Sequence, residues 1–420
     1  MNKSESNDLP IEPIRKMYED MSVGVKRTER KNVPISINFE EQTWYSRYNY
    51  THEDPTLCLH AEILDFLSEI LPTKEDKIMR DKVIERVSTT ISKLWPKATI
   101  GVYGSYASGC HLPTSDIDLT VFYSETMETN TKENTKENTK ENTNENTKEN
   151  TKKNTKKNTK ENTKETNTKS TGTNIPKSTT LLTKTQNKQS ERLAEQLGEW
   201  LKKSENSSLW SDLNVVGSAS VPIIKLVEAE SNLWVDISFN ISKSSRAVKL
   251  TRSKIKKYPP LLPLLIVLKW FLRVRNLHEP FYGGIGSYTL MLMLVSHFQM
   301  HPCANETPCL VNLGQLLIDF FYLYSRFNYI STGISILNNG FYFNKHLVDV
   351  FDHTNPTIPY VQDPLDVSNN TAKSSFAILE CRKAFDQAYK QLSKGEPLWK
   401  VLNVKKFEQK QSIKLKEEKK

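Results

Sequence analysis

GVYGSYASGCHLPTSDIDLTVFY, running from Gly101 to Tyr123, joins two short runs of β-branched and aromatic residues through a Gly-Ser turn, and its second run opens on Asp116-Ile-Asp118. On a strand, side chains at i and i+2 share a face. Asp116 and Asp118 therefore stand side by side, where their repulsion is costly unless a cation lies between them. Mg²⁺ suits such a pair, because it takes a few carboxylates and fills its shell with water and substrate phosphate. The turn, Gly104-Ser105, is of the kind that holds a phosphate through backbone N–H groups and a hydroxyl. Each feature alone also fits ordinary structure, since a solvent-facing strand alternates polar residues anyway. A third carboxylate narrows the reading. Asp236 sits in the middle of the apolar run LWVDISF, where a charge without a partner is expensive to bury. Together these are the parts of nucleotidyl transfer, in which paired metal ions activate the attacking oxygen and steady the leaving one. The GxxxxGK[ST] phosphate loop is absent.

Around this block the pattern is α+β. LHAEILDFLSEIL and DKIMRDKVIERVSTTISKLW carry apolar residues at helical spacing. ATIGVYG, DIDLTVFY, LNVVGS, PIIKLVEA and LWVDISF read as strands. Between them, from about Thr126 to Ser170, the tetrapeptide TKEN repeats with almost no apolar side chain, and the stretch to about residue 188 stays Thr- and Lys-rich. Such a segment cannot bury enough surface to offset the entropy of ordering, so a disordered insertion is expected at about 126–188. From about Lys254 four long apolar runs follow, LLPLLIVLKWFLRVR, SYTLMLMLVSHFQMH, LGQLLIDFFYLYSRF and SFAILECRKAFDQAYKQL, which predict a mostly helical second domain.

Bulk properties agree with a polyanionic partner. Across 420 residues, 58 Lys and Arg face 49 Asp and Glu, for a formal charge of +9. The opening MNKSESNDLPIEPIRK lacks the apolar run of a secretory leader. The most apolar stretch, from Leu261, is interrupted by Pro263 and Lys269 and is too short to cross a bilayer. Five scattered cysteines describe no disulfide framework and suit a reducing compartment. His297, His301, Cys303 and Cys309 cluster in sequence, yet they form no Cys-x-x-Cys clasp of a zinc site.

From about Phe39 to Leu392, insertion aside, the sequence resembles the polymerase-β-like nucleotidyltransferases, and within them the noncanonical poly(A) polymerases of the nuclear TRAMP type. The block GSYASGCHLPTSDID meets the family pattern GSxxxGxxLPxSDID, and VDISFN from Val235 meets its third-aspartate strand. The resemblance implies a nucleotidyltransferase domain with a mixed sheet over 77–242 and a helical central, poly(A) polymerase-associated domain over 243–395. A helix in 39–76 would pack on the central domain, between a disordered or marginal tail (1–38) and a basic tail (396–420). It makes Asp116, Asp118 and Asp236 the catalytic, metal-binding triad for two Mg²⁺, or Mn²⁺, and sets Gly104 and Ser105 against the triphosphate. Lys269 and Arg273 in LIVLKWFLRVR would neutralise phosphates. In GGIGSY, Ser287 would touch phosphate and Tyr288 would stack on the base, while Asn369 and Lys373 in VQDPLDVSNNTAKSSF would read it.

The implied activity is template-independent addition of AMP from ATP to RNA 3′ ends, in nuclear or nucleolar RNA surveillance and exosome-assisted decay. The implied partners are a zinc-knuckle RNA-binding protein and an RNA helicase, with no membrane. Asparagine at 369 favours ATP, since uridylate-adding relatives usually have histidine there. A terminal uridylyltransferase with the same machinery is the first alternative, and a catalytically weak RNA-processing scaffold the second. The chain departs from the family at Ser244, where glycine is common, at Lys373, where arginine is, and at His111, where an aromatic residue is.

Overall fold

The computed structural model describes residues 25–29, 48–123, 177–203, 207–217, 221–241, 243–300, 311–348 and 353–402. The TKEN repeat, the tail beyond residue 402, and His301, Cys303 and Cys309 lie outside the described residues. The first pairing is β1 (Lys26–Glu29) antiparallel to β2 (Tyr48–Thr51). β1 corrects the expectation of a disordered or marginal tail over 1–38. KRTE carries no apolar alternation to read, and its order comes from the partner strand.

Two helices follow and serve different cores. In α1 (Pro55–Ile70) the Asp54 side chain accepts from the Thr56 N–H and proline opens the first turn. Its Leu59, Ile63, Phe66 and Leu67 join the core of the helical domain. A capping box between Thr73 and Asp76 starts α2 (Lys74–Leu94), whose Val83, Val87 and Ile91 face the catalytic sheet instead.

The deciding stretch forms β3 (Thr99–Tyr103), one helical turn α3 (Gly104–Ser108) and β4 (Ile117–Phe122). The expected Gly-Ser turn is thus the start of a short helix. Helix α4 (Lys177–Lys203) corrects the insertion boundary, because residues 177–188 are helical rather than loop. Thr is a weak helix former. Extending a helix that is already nucleated costs far less than starting one, and Leu193, Leu197 and Leu201 fix the nucleus by packing on the sheet. Strands β5 (Trp210–Val216), β6 (Ile223–Glu228) and β7 (Trp234–Phe239) complete five strands in the order β3-β4-β7-β6-β5. β4 and β7 are parallel neighbours, and the other pairs are antiparallel. Ile117, Leu119, Val121, Val235 and Ile237 fill the core under α2 and α4. Period-2 alternation turns Asp118 and Asp236 away from that core.

The second domain begins with α5 (Lys243–Lys257) and centres on α6 (Leu261–Arg273), in which every residue from Leu261 to Leu272 is buried. Pro263 does not break it, because it occupies the first turn, where no helical acceptor awaits its missing N–H. Helices α7 (Ser287–Met300) and α8 (Leu313–Arg326) pack beside it. Among the described residues no helix is long and apolar enough to cross a membrane. A four-stranded sheet, absent from the expectation of a mostly helical domain, then forms from β8 (Thr332–Ser335), β9 (Phe341–Asn344), β10 (Tyr360–Asp363) and β11 (Asp366–Asn370). Strands of four or five residues with mixed polarity give no readable alternation. The buried Lys345 ties this region together by donating to the carbonyls of Tyr329, Pro356 and Ile358. α9 (Ile378–Leu392) and α10 (Leu398–Leu402) close the domain.

Candidate active site

Register brings the aspartates together. Asp118 on β4 lies directly beside Asp236 on β7, and Asp116 precedes β4 by one residue. All three carboxyls are raised above the ordinary carboxylate value, first by burial. Asp118 moves furthest, pushed up to about 7 by burial and then by Asp236 and Asp116. Gly104 is required by this crowding. Its φ of +67° is left-handed, and a Cβ there would stand 1.8 Å from Asp118 Oδ2.

Three cations hold the intervening loop by its backbone. Arg80 donates to the carbonyls of Pro113 at 2.7 Å and Ser115 at 2.8 Å. Arg252 on α5 donates to the Ala107 carbonyl, and Lys269 on α6 to the Cys110 carbonyl at 2.6 Å. Lys269 is only 7% exposed, so it is not a lysine whose head reaches bulk water. Burial lowers it and also lowers Arg273, one turn on, while Asp118 and Asp116 respectively oppose those shifts.

A cleft of about 220 Å³ gathers Ser105, Asp116, Asp118, Lys269, Arg273 and Ser287 between the two domains. A second, of about 380 Å³, gathers Ser287, Tyr288, Asn369 and Lys373. The expected recognition loop is a β-hairpin, β10–β11, with Asn369 in its second strand. Asp363 organises it: Tyr288 Oη donates to Oδ1 at 3.1 Å and Asn369 Nδ2 to Oδ2 at 3.1 Å. Thr289 Oγ1 fastens α7 to the hairpin through the Thr371 carbonyl at 2.8 Å. A larger cavity, lined by Tyr50, Glu62 and Trp399, contains none of the residues singled out in the sequence.

Ser244 lines neither cleft. Its hydroxyl donates to the Ile241 carbonyl at 2.8 Å where α5 begins. His111 stacks edge-on to Tyr106 with centroids 5.0 Å apart, and burial, Arg80 and Lys269 push it down to about 3. His297 is buried on α7 against Phe298 and Phe320.

Four polar residues of the site escape a reading by motif. Lys225 lies opposite Asp236 in the β6–β7 register and donates to its Oδ2 at 2.8 Å. His278 and Glu279 line the first cleft, and Asp363 the second. Lys225 had a signal, a charge flanked by apolar residues in IIKLV, by the same logic that singled out Asp236.

Among the described residues, no three His, Cys, Asp or Glu side chains converge as a ready-made metal site, Asp116, Asp118 and Asp236 included. Asp236 gives one oxygen to Lys225, and its other oxygen, Oδ1, is buried without a hydrogen-bond partner. That orphaned oxygen, next to two repelling carboxyls, fits a hard divalent cation, and Asp116, Asp118 and Asp236 are the groups that could hold one.

Comparison with known proteins bears on the family and the fold. The family described as poly(A) RNA polymerase, mitochondrial-like, central palm domain matches residues 59–252, and the Cid1 family poly A polymerase matches residues 312–369. Poly(A) RNA polymerase cid14 of Schizosaccharomyces pombe is 28% identical over 395 residues, covering 93% of this chain and 48% of that protein. Poly(A) RNA polymerase protein 2 of Saccharomyces cerevisiae is 30% identical over 337 residues, covering 79% and 47%. This chain thus spans about half the length of these curated relatives. A solved structure of the polymerase core of TRAMP, an RNA surveillance complex, is 27% identical with a TM-score of 0.59, over 83% of this chain and 88% of that one. With two family matches that together cover more than half of the sequence and a sheet that sets Asp118 beside Asp236, the chain belongs to the noncanonical poly(A) polymerase family of nucleotidyltransferases.

Proposed function

We propose that this protein adds AMP from ATP to RNA 3′ ends without a template, in nuclear RNA surveillance, together with a zinc-knuckle RNA-binding protein and an RNA helicase. The observation that carries the reading is a pair of adjoining cavities: the Asp116–Asp118 cavity and the Tyr288–Asn369 cavity share Pro280, Gly286 and Ser287. A triphosphate and its base need such a pair of adjoining pockets. Two Mg²⁺ ions, or Mn²⁺, held by Asp116, Asp118 and Asp236, would supply charge neutralisation and activation of the RNA 3′-hydroxyl. Asp236, whose Oδ1 is buried and unpartnered, would act with the metal on the RNA 3′-hydroxyl. The RNA 3′-oxygen forms its bond to the ATP α-phosphorus as the α–β bridging bond breaks, and pyrophosphate leaves toward Lys269 and Arg273. Ser105 and the amides of the α3 turn orient the phosphates.

Base choice follows from the Asp363 network. With Nδ2 committed to Asp363, Asn369 keeps its side-chain oxygen free of any hydrogen bond from the described residues. A free acceptor suits the 6-amino group of adenine and not the 4-oxo group of uracil. Similarity to the TRAMP core and the surplus of basic residues support the proposed nuclear setting and partners.

The test is extension of an oligo(A) primer by the purified chain with Mg²⁺ and each nucleotide in turn. AMP addition, lost in Asp116→Ala, is expected. No addition with ATP, even beside a zinc-knuckle partner, would refute the polymerase reading, and preference for UTP would replace it with uridylyl transfer. Imaging of a tagged chain checks the nuclear assignment.

A further inference from the structure

The seam between the two cavities is where a nucleotide's sugar would lie, with phosphates on one side and base on the other. His278 and Glu279 stand immediately before the shared Pro280 and line the first cavity. Glu279 is the third carboxylate lining a cleft suited to a polyanion, beside Asp116 and Asp118, and it acts unfavourably on Asp116 and Asp236. Lys225 and Arg273 offset it in part. Next to a triphosphate such a charge costs affinity unless it accepts a hydrogen bond that compensates. One Glu279 oxygen, Oε1, lies 3.1 Å from His278 Nε2, and the other takes no hydrogen bond from the described residues. His278 is itself turned inward, its Nδ1 buried and without a partner.

We infer that Glu279 recognises ribose: its open carboxylate oxygen accepts a sugar hydroxyl at the seam, and His278 positions it. The inference rests on the nucleotidyl-transfer reading for what enters the cleft. Two sugars share this chemistry. One belongs to ATP and the other to the terminal nucleotide of the RNA, whose 3′-hydroxyl has to approach Asp236. In both, a 2′-hydroxyl bound to a carboxylate would separate ribose from deoxyribose.

Binding to the full chain tests this without turnover. Dissociation constants are measured with Mg²⁺ for ATP against 2′-deoxyATP, and for oligo(A) against the same oligomer ending in 2′-deoxyadenosine. The wild type should hold the ribose member of one pair about tenfold more tightly. Glu279→Gln and Glu279→Ala should bring that ratio close to one by weakening the ribose member alone, and the pair affected identifies the sugar. Glu279 is half exposed, and unchanged melting temperatures would show both variants folded. A wild-type ratio near one in both pairs overturns the inference. So does an equal shift of both members, which is what loss of a merely electrostatic or structural carboxylate would give. A wild type that binds with the expected ratio and adds no AMP would refute the polymerase reading and leave the ribose contact standing.

Discussion

On the sheet side of the cleft, a loop is gripped by its backbone carbonyls, by Arg80 and by Arg252 and Lys269 reaching from the helical domain, and Asp118 lies beside Asp236 and near Asp116 against their repulsion. On the helical side, one carboxylate, Asp363, gathers Tyr288 and Asn369 by hydrogen bonds of 3.1 Å, and the hairpin around it is part-exposed. The first side stores unfavourable charge that a ligand can relieve; the second stores hydrogen-bonding direction. Chemistry and choice of substrate are therefore separable in this cleft, and substitutions should affect them separately.

The largest effect belongs to the charged side. Asp118→Asn should lower AMP addition by about a thousandfold or more. The same change should raise the melting temperature in chelator at pH 8, because it removes a charge that burial and Asp236 oppose. Loss of both activity and stability would break the comparison. Gly104→Ala should come next, at about a hundredfold in rate, because its Cβ would drive Asp118 from its place and fixes an alanine at positive φ. Single-turnover addition to a labelled primer reads both.

Asp363→Asn acts on the other side. It leaves Tyr288 and Asn369 without their shared acceptor charge, and the ratio of kcat/KM for ATP over UTP should fall about tenfold while the Mg²⁺ requirement stays as it was. The smallest effect is a pH dependence. The folded Asp118 carboxyl, at about 7, holds its proton at pH values where the unfolded one, near 3.8, has lost it. Stability in chelator should then fall by roughly a few degrees in melting temperature as pH rises from about 4 to about 7. Mg²⁺ should flatten that slope by stabilising the ionised form, and calorimetry across pH with and without the ion sharpens the point.

The same division decides what could be read in the sequence. Asp116, Asp118 and Asp236 were legible because two carboxylates at i and i+2 repel on one face and a third stands inside an apolar run, each at a cost that calls for a partner. The long helices were legible by their apolar spacing. The four-stranded sheet was not, since TGIS, FYFN, YVQD and DVSNN alternate too little to separate from turns. Asp363 was hidden in an Asp-Pro dipeptide that reads equally well as a bend. Arg80 and Arg252 were hidden for another reason: they act through backbone carbonyls distant in sequence, which no local motif records. The start of α4 was misplaced because its weak helix formers borrow order from a nucleus farther along.

The parallel pairing of β4 with β7 has a kinetic consequence. Its two aspartates are more than a hundred positions apart in sequence, so the chain must close a long loop before the sheet that carries the chemistry can form. Closure entropy grows only logarithmically, by about 0.6 kcal/mol per doubling of length. Lineages could therefore lengthen or shorten the TKEN tract at almost no thermodynamic penalty, provided that the ends still meet in register.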